Sequence, residues 1–548
     1  MDTLADAIDA LCEAERGFHF TSRSQPDSTI SHLALRSDVR RLARKLRLPE
    51  DAPGDRLVIA VPDQRTFLLL FLAVIRAGLV AVPVPPPGLT ADLTAYSTDI
   101  ERIRRVCGAR RILTTDSLHQ RLQANHPPGS LVPWSELQAG EETGELGRPT
   151  TSSTALIQFT SGSTGSPKGV ELTHGNVISN ARAIEQALAI DPVHDRGLSW
   201  LPFHHDMGLM GFLIAPVLIQ ASTWYLPPME FARQPRRWLE LMSQTEATIS
   251  YAPNFAYEMA ARSVKKAQCR DWNLSAWRVA GCGGEPVLPE VLEHFARQLE
   301  PAGFNRKAFV PSYGLAEATV AVAISAPQRG VILQRARSAN GDGTTAVSSG
   351  RAIKDTAIRI VSSDNTELAD GKEGDIQVRG PGVARRLWCE DGPQPSTRHD
   401  GWLSTGDNGF LYQGELHVTG RNKETIVING RNYHAHDIEE CVQDLEGIRR
   451  GGIVAFGRPQ DGSEQLVLVA ENRSVLAMDT IQHQLRAAIR QRLGLAVADI
   501  VIVERGIISR TTSGKIRRHA LKQAYLAGEF TRLSSDSLES ARPAVACT

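Results

Sequence analysis

The first third of the chain alternates apolar runs with helical segments. Residues 56–61 are apolar and rich in β-branched side chains, which predicts a buried strand. A helical run over 66–77 is closed by Gly78, a residue type that supplies the left-handed turn at a helix end, and a second apolar run spans 79–84. The same alternation returns at 111–114, 154–159 and 248–251. Strands separated in this way by helices predict the α/β class, with large, doubly wound parallel sheets.

From about residue 350 the pattern changes to short alternating runs, as in 357–361 and 375–379. Gly and Asp turns separate these runs, which indicates a β-rich subdomain. After Gly420 a third pattern mixes helices with strands. The predicted elements are strands near 425–428, 452–456 and 465–470 and helices at 436–445 and 478–493, followed by a loop at 514–515.

These changes define the predicted domain organisation. We expect an N-terminal domain over 1–420, with its β-rich subdomain from about 350, and a small α+β C-terminal domain over 421–530. Residues 531–548 are rich in serine, and we expect a disordered tail there.

Charge and composition exclude several classes of protein. The 548 residues carry 61 Lys and Arg against 61 Asp and Glu, which argues against a protein that mainly clamps nucleic acid. Hydrophobic residues make up 42%, as in globular proteins, so a disordered chain is excluded. The longest apolar stretch, 67–84, is interrupted by Arg76 and Gly78, and the first residues are acidic rather than basic and apolar. We therefore expect neither a membrane span nor a secretory signal.

The cysteines indicate a reducing compartment. There are seven of them, without a CxxC pair, which fits neither a disulfide framework nor a zinc ribbon. We therefore expect a cytoplasmic protein. His204, His205 and Asp206 stand together, but adjacent histidines rarely ligate one ion and no other His or Cys cluster accompanies them, so we predict no zinc site.

A loop rich in Gly, Ser and Thr is the strongest local signal. Residues 159–169 are Phe-Thr-Ser-Gly-Ser-Thr-Gly-Ser-Pro-Lys-Gly, after an apolar strand and before a helix predicted to begin near His174. Glycines allow the backbone to approach a ligand, hydroxyls donate hydrogen bonds, and Lys168 offsets phosphate charge. The loop is not a P-loop, because Lys168 follows Pro167 and Gly169 occupies the Ser/Thr position. A nucleotide-phosphate loop of another kind is predicted in preference to a flexible linker.

Five further motifs follow this loop along the chain. They are Gly283-Gly284-Glu285-Pro286, Tyr313-Gly314-Leu315-Ala316-Glu317, Ser404-Thr405-Gly406-Asp407, Gly420-Arg421-Asn422-Lys423 and Thr512-Ser513-Gly514-Lys515-Ile516. In this order, and over roughly residues 20–520, they resemble the adenylate-forming enzymes, which include acyl-CoA synthetases, luciferases and peptide-synthetase adenylation domains.

The resemblance implies that a carboxylate attacks the α-phosphate of ATP to give acyl-AMP and pyrophosphate. Catalysis would then consist of positioning the reactants and placing cations at the phosphates. Lys168 would hold the β- and γ-phosphates, and Glu317 would hold Mg²⁺ with Thr164, since Mg²⁺ needs few carboxylates. The loop residues implied to contact ATP are Thr160, Ser161, Gly162, Ser163, Thr164 and Gly165.

The resemblance also assigns residues to the nucleoside. Asp407 would accept hydrogen bonds from the ribose hydroxyls, Arg421 would reach the ribose or phosphates, and Tyr313 would stack on adenine. From local sequence alone, Asp407 could equally be a turn residue and Tyr313 a half-buried strand aromatic. The remaining implied contacts are Gly283, Gly284, Glu285, Pro286, Ser312 and Gly314.

Two lysines near the C-terminus receive roles in the same way. Lys515 would enter the active site and bridge the substrate carboxylate and the α-phosphate, making it catalytic with Lys168 and Glu317. Lys423 matches the family's hinge, about which the small C-terminal domain is mobile and rotates between an adenylating and a transferring arrangement.

Three segments narrow the resemblance to fatty acyl-AMP ligases. They are 199–209 (Ser-Trp-Leu-Pro-Phe-His-His-Asp-Met-Gly-Leu), 252–258 (Ala-Pro-Asn-Phe-Ala-Tyr-Glu) and 273–287, which contains Leu-Ser-Ala-Trp-Arg and Glu-Pro-Val. Such ligases pass the acyl group to the phosphopantetheine thiol of an acyl carrier protein. The pocket residues that we predict are His205, Asp206, Met207, Gly208, Phe255 and Tyr257, with Phe203, Leu209, Met210 and Phe212 extending an apolar tunnel. Some of these side chains are expected to be core residues instead.

The sequence departs from that pattern at three places. Arg386-Leu387-Trp388 stands where Gly-Tyr-Trp is usual, and Glu424 stands where Asp is usual. The 33-residue spacing from Glu317 to Gly350 leaves room for the family's insertion. The candidate insertion, residues 338–345, is however short and polar. An acyl- or aryl-CoA ligase is therefore the alternative function. A non-catalytic relative that binds nucleotide or a carrier domain is a third.

Overall fold

The computed structural model describes residues 1–23, 26–88, 92–142, 144–160, 168–337, 344–421, 424–428, 431–460, 463–472, 478–511 and 516–529. Within them the chain divides into two compact units. The first contains residues 1–160, 168–405 and 409–418, and the second contains residues 406–408 together with the chain from 419 onward.

The strands, in chain order, are β1 Gly17–Phe20, β2 Ser28–Ser31, β3 Arg56–Ala60, β4 Val80–Pro83, β5 Arg111–Thr114, β6 Leu131–Pro133, β7 Thr154–Thr160, β8 Lys168–Thr173, β9 Arg196–Ser199, β10 Ser222–Tyr225, β11 Ile249–Ala252, β12 Val279–Cys282, β13 Phe309–Tyr313, β14 Ala323–Ile324, β15 Leu333–Arg335, β16 Thr345–Ala352, β17 Ala357–Val361, β18 Gly374–Arg379, β19 Arg386–Cys389, β20 Gly392–Pro395, β21 Leu403–Tyr412, β22 Glu415–Arg421, β23 Thr425–Ile428, β24 Arg431–His434, β25 Ile448–Gln460, β26 Ser463–Asn472 and β27 Val497–Val503.

The α-helices are α1 Leu4–Asp9, α2 His32–Leu46, α3 Gln64–Arg76, α4 Leu93–Cys107, α5 Asp116–Leu122, α6 Trp134–Ala139, α7 His174–Ala187, α8 Asp206–Leu209, α9 Ala215–Ile219, α10 Pro228–Arg233, α11 Arg236–Gln244, α12 Asn254–Arg262, α13 Pro289–Leu299, α14 Ala435–Glu440, α15 Met478–Leu493 and α16 Arg518–Leu526. A π-helical turn, Met210–Ile214, joins α8 to α9. In the described part of the chain, no helix is both long and apolar enough to cross a membrane.

Two large mixed sheets organise the first unit. One has a parallel centre in the order β1-β10-β9-β11-β12-β13, which continues through antiparallel β14, β16 and β22 to β21, β18 and β17. The other has a parallel centre β6-β5-β3-β4-β7 and an antiparallel edge formed by β8, β19 and β20. The predicted α/β class with large sheets is confirmed.

Burial explains why β3 has a continuous apolar sequence. Leu57 and Ile59 pack into the main hydrophobic core, whereas Val58 and Ala60 pack into a separate core with α4 and α5 on the opposite face. Successive strand side chains point to opposite faces, so a sheet that is covered on both faces needs apolar residues at every position.

The second unit has its own cores. β25, β26 and β27 form a three-stranded sheet, and β23 pairs with β24. Ala455 and Leu468 pack on one face of the larger sheet, and Phe456 and Val467 pack on the other.

The predicted elements agree with the structure except at their ends. The helix predicted over 66–77 spans Gln64–Arg76, and the strand predicted over 375–379 spans Gly374–Arg379. The helix predicted over 436–445 ends earlier, at Glu440. The loop at 514–515 and the tail over 531–548 lie outside the described residues.

Candidate active site

Four predicted segments meet at one edge of the first sheet. The parallel strands β9, β11, β12 and β13 are neighbours in the sheet, so their carboxyl ends lie along the same edge. The segments that follow them are 200–207, 253–255, 283–286 and 314–317. In open α/β sheets, ligands bind in the crevice outside the carboxyl ends of the strands.

The glycines in these segments permit close backbone approach. A Cβ on Gly283 would lie 2.8 Å from the Ser312 carbonyl oxygen, and a Cβ on Gly314 would overlap the carbonyl oxygen of Val320. Gly284 has φ +82°, in the region that glycine enters at little cost. The end of β12 can therefore pack directly against the end of β13.

Tyr251, near the end of β11, lies at the same sheet edge, although the sequence pattern did not predict it as a site residue. Its ring covers Gly281, where any Cβ would overlap the ring atoms, and its hydroxyl lies 3.2 Å from Ser312 Oγ. Burial raises the pKa of Tyr251 to about 12, so the phenol is neutral near pH 7. Its position immediately before Ala-Pro-Asn-Phe was the available signal, but a strand aromatic is usually a core residue.

The Asn254–Phe255 and Glu285–Pro286 segments hold each other in place. Glu285 Oε1 accepts a hydrogen bond from the Phe255 backbone N–H at 2.9 Å, and the Asn254 carboxamide donates to the Pro286 carbonyl. The thiol of Cys282 donates to Asn254 Oδ1 at 3.5 Å. The structure thus brings the predicted nucleotide residues Glu285 and Pro286 against the predicted pocket residue Phe255.

The His-His-Asp-Met-Gly segment begins α8. Asp206 Oδ1 accepts from the Met207 backbone N–H at 2.8 Å, and a Cβ on Gly208 would overlap the Pro202 carbonyl oxygen. The His205 and Met207 side chains are half-buried, and the Met207 Cε would lie 3.9 Å from a Cβ built on Gly284. The segment therefore lies beside the Gly283–Gly284 turn. A π-helical turn follows it, a feature often found at functional sites.

His204 is neutral near physiological pH. Burial holds the pKa of its imidazole well below the usual range, and neighbouring His205 lowers that pKa further. The Gln158 carboxamide donates to the His204 carbonyl at 3.3 Å.

The predicted tunnel residues divide into two groups. Tyr257 is fully buried, its hydroxyl donates to the Gly281 carbonyl at 2.8 Å, and its ring packs against Trp238 and Phe295. This places Tyr257 in the core beneath the site. The other fully or nearly fully buried members are Phe203, Leu209, Met210 and Phe212. Phe255 and Met207 are half-buried at the sheet edge.

The predicted phosphate loop connects two antiparallel strands. Thr160 is the register partner of Lys168, and Thr160 Oγ1 donates to the Lys168 carbonyl at 3.4 Å. Strand β8 therefore stands between the loop and α7, where the sequence pattern predicted a helix directly after the loop. The helix begins at His174 as predicted. Ser161, Gly162, Ser163, Thr164 and Gly165 lie outside the described residues, and so do Lys423 and Lys515.

Glu317 lies on a short 3₁₀ turn, Ala316–Ala318, after β13. Its carbonyl oxygen accepts a hydrogen bond from the Ala384 backbone N–H at 2.8 Å, and its side chain is half-buried. Among the described residues there is no group of three or more His, Cys, Asp or Glu that could hold a metal on its own. A single carboxylate at the ligand edge of a sheet fits Mg²⁺, which keeps waters and phosphate oxygens as its other ligands.

In the second unit, Arg421 and Asp407 form an ion pair. Arg421 Nε lies 3.1 Å from Asp407 Oδ1, and the Asp407 residue is 6% exposed. Arg518 joins Glu424 to Glu439 in a separate network, so Glu424, predicted as a departure from the family pattern, has a cationic partner.

Comparison with known proteins agrees with this geometry. The family model for AMP-binding enzymes matches residues 13–388. The 4-hydroxyphenylalkanoate adenylyltransferase of Mycobacterium marinum is 34% identical over 529 residues, which cover 88% of this chain and 83% of that protein. The long-chain-fatty-acid–AMP ligase FadD32 of Mycolicibacterium smegmatis is 33% identical, over 87% of this chain and 86% of that protein.

A solved structure extends the similarity to three dimensions. It comes from a study of fatty acyl-adenylate ligases from E. coli and L. pneumophila, and it superposes with a TM-score of 0.87 at 32% identity, over 96% of this chain and 98% of that one. The chain therefore belongs to the AMP-binding enzyme family, the adenylate-forming ligases. Within that family it is a member of the fatty acyl-AMP ligases, as the sequence motifs predicted.

Proposed function

We propose that this protein activates a fatty carboxylic acid with ATP and then passes the acyl group to the phosphopantetheine thiol of an acyl carrier protein. The observation that carries the proposal is the convergence of four motif segments at the carboxyl ends of β9, β11, β12 and β13. Membership of the fatty acyl-AMP ligases supports the first half of the reaction. The carrier-protein half, in polyketide- or lipopeptide-type biosynthesis, is an extension of that membership.

In the first half-reaction, a carboxylate oxygen of the acid forms a bond to the α-phosphorus of ATP. The bond between the α-phosphorus and the bridging oxygen breaks, and pyrophosphate leaves with that oxygen. Like charges repel along this path, so the protein must offset phosphate charge and hold the two reactants in line. Lys168 begins β8 directly after the predicted phosphate loop, a position from which it can supply one such charge.

Magnesium, when bound, would neutralise phosphate oxygens. Glu317 is the described carboxylate that we assign to it, with Thr164 from the loop. Asp407 and Arg421 are assigned to the ribose and phosphates, and Tyr313 to the adenine. Lys515 is assigned to the bridge between the acid and the α-phosphate.

For the acid, we propose a medium- or long-chain fatty acid. Half-buried Phe255 and Met207 offer apolar surface at the sheet edge, and each buried methylene adds about 0.8 kcal/mol. A second candidate is an aryl-alkanoic acid, because a relative with 34% identity is named for 4-hydroxyphenylalkanoates. Free CoA is the second candidate acceptor. The insertion that is expected to distinguish these ligases from CoA ligases is short and polar in this chain, at residues 338–345.

The test is pyrophosphate exchange with a panel of alkanoic and 4-hydroxyphenylalkanoic acids, followed by competition between CoA and a phosphopantetheinylated carrier protein. We expect exchange that depends on a fatty acid and on Mg²⁺, and acylation of the carrier rather than CoA. Rapid acyl-CoA formation would reassign the protein to the CoA ligases. No exchange with any acid would leave only a binding role.

A further inference from the structure

Helix α7 carries two buried asparagines, one helical turn apart. Asn176 and Asn180 have 7% and 3% exposure and lie on the same face of the helix. Asn176 donates to the carbonyls of Pro381 and Val383, at 2.6 and 3.1 Å. A buried carboxamide must use its donors and its acceptor, so the partners of Asn180 show which segment this face of the helix holds.

Asn180 holds the turn that carries Glu317. Its Nδ2 donates to the Ala318 carbonyl at 3.3 Å and to the Ala321 carbonyl at 2.8 Å, and its Oδ1 accepts from the Ala321 backbone N–H at 3.2 Å. Each of these bonds goes to the segment immediately after Glu317. One side chain therefore satisfies three backbone groups of that turn.

Thr319, inside the same turn, has an unusual backbone conformation. Its φ and ψ of +70° and −67° describe a γ-turn, closed by a 2.9 Å hydrogen bond from the Val320 N–H to the Ala318 carbonyl. A β-branched residue rarely adopts positive φ, so surrounding contacts must hold it there. One such contact is the Thr319 hydroxyl, which is buried and donates to the Gly382 carbonyl at 2.7 Å.

We infer that Asn180 and Thr319 are positioning residues that fix the Glu317 carboxylate for magnesium-bound ATP. The helix that carries Asn180 directly continues β8, which begins with Lys168. Asn180 thus links the strand after the phosphate loop to the turn that bears the proposed magnesium ligand. The inference rests on the proposed function, because it concerns the metal that this function requires.

The test measures metal binding as well as activity. Mn²⁺ affinity is determined by electron paramagnetic resonance in the presence of α,β-methylene-ATP, which the enzyme cannot cleave at the α-phosphate. Pyrophosphate exchange gives the half-saturating Mg²⁺ concentration and the KM for the acid. The variants are Asn180→Leu, Thr319→Val and Thr319→Ser, with Glu317→Gln as the reference for loss of the ligand.

We expect Asn180→Leu and Thr319→Val to weaken Mn²⁺ binding and raise the Mg²⁺ requirement at least fivefold, with the KM for the acid changed less than twofold. Thr319→Ser keeps the hydroxyl and should restore most of the affinity. Ala183→Gly, a buried position on the same helix that does not contact the turn through hydrogen bonds, controls for simple destabilisation and should leave Mn²⁺ affinity unchanged.

Folded Asn180→Leu and Thr319→Val with Mn²⁺ affinity like that of the unsubstituted enzyme would overturn the inference. If Asn180→Leu does not fold, the Mn²⁺ affinities of Thr319→Val and Thr319→Ser decide whether the inference holds. Failure of the unsubstituted enzyme to exchange pyrophosphate with any acid would instead overturn the proposed function. A Glu317→Gln variant that binds Mn²⁺ normally would remove Glu317 as the ligand, and the positioning role with it.

Discussion

The Glu171 carboxylate lies 2.6 Å from the Arg386 guanidinium, and this ion pair joins the strand after the predicted phosphate loop to β19. Glu171 is 6% exposed, and it also accepts from Trp388 Nε1 at 2.7 Å and from Thr154 Oγ1 at 2.9 Å. Arg386 belongs to the segment 386–388, which the sequence motifs mark as a departure from the expected family pattern. The departure therefore has a structural partner in this chain.

This contact predicts unequal effects of two substitutions. Glu171→Leu removes the buried acceptor and leaves the half-buried Trp388 and Thr154 donors without it, which should cost about 1–3 kcal/mol of unfolding free energy. Arg386→Gly removes only a half-exposed partner and should cost less than about 1 kcal/mol. Urea unfolding of both variants measures the difference. Equal losses would show that the ion pair with Arg386 contributes more than the hydrogen bonds from Trp388 and Thr154.

The closeness of Tyr251 and Gly281 predicts the effect of a single methyl group. In Gly281→Ala the new Cβ would overlap the Tyr251 ring, so the ring must leave its place beside Ser312. Overpacking of this kind costs about 1–3 kcal/mol, and we expect at least tenfold slower acid activation in pyrophosphate exchange. Gly211→Ala, whose Cβ would meet no atom within 4 Å, is the matched control and should stay active. Unimpaired Gly281→Ala would exclude Tyr251 from the site.

The role assigned to Lys515 predicts a large effect on adenylation. Removing one electrostatic stabiliser of a transition state costs about 10²-fold or more, so Lys515→Ala should lower acyl-AMP formation by that factor. Single-turnover measurement of acyl-AMP from ATP and a saturating fatty acid checks this. Near-normal acyl-AMP formation would contradict the assigned role.

Lys423→Pro should affect the second half-reaction more than the first. Proline fixes φ, and a hinge that cannot change its backbone angles cannot serve two arrangements of the small domain. The measurement compares acyl-AMP formation with transfer of the acyl group from preformed acyl-AMP to the thiol acceptor. An equal loss in both steps would argue against a hinge at this residue.

The local pattern of apolar and polar residues was sufficient to predict two kinds of element: those buried on both faces, and strands in which apolar and polar residues alternate regularly. The helix after β3 and the strands β17 and β18 follow from such patterns, because apolar periodicity reports burial directly. The sequence pattern did not predict strand β8, because this strand depends on hydrogen bonding to β7 and β19. Pairs such as Thr154 and Thr173 become neighbours only when the chain folds. Such tertiary pairing overrides local preference.

The residues of the candidate site also fall into two groups, those that the sequence motifs predicted and those that only the structure revealed. Glycines and acidic residues in ordered motifs pointed to the segments at the sheet edge, and family resemblance supplied their roles. Tyr251 gave only a weak sequence signal, its position before Ala-Pro-Asn-Phe, and Asn180 gave none, because a strand aromatic and a helical asparagine are common outside active sites. Their significance depends on partners far along the chain, such as Ser312 for Tyr251 and Ala318 for Asn180.

A final prediction concerns the stability of the protein in mild acid. His174, the first residue of α7, is 1% exposed, and its Nδ1 accepts a hydrogen bond from the Leu4 backbone N–H at 3.1 Å. Burial lowers the pKa of His174 to about 4 from 6.5. The unfolded chain therefore binds a proton that the folded chain does not as pH falls below 6.5, so this residue reduces stability progressively between pH 6.5 and about 4.

In His174→Asn, the asparagine Oδ1 can replace the histidine Nδ1 as the hydrogen-bond acceptor, but the new side chain does not titrate. Between pH 7 and pH 5 we expect the unsubstituted protein to lose about 2 kcal/mol more unfolding free energy than the variant. Urea unfolding at the two pH values gives this difference directly. His32 is also buried, with its pKa lowered to about 4. The variant should therefore retain part of the acid sensitivity, and a pH dependence identical to that of the unsubstituted protein would show that His174 has the same pKa in the folded and unfolded chains.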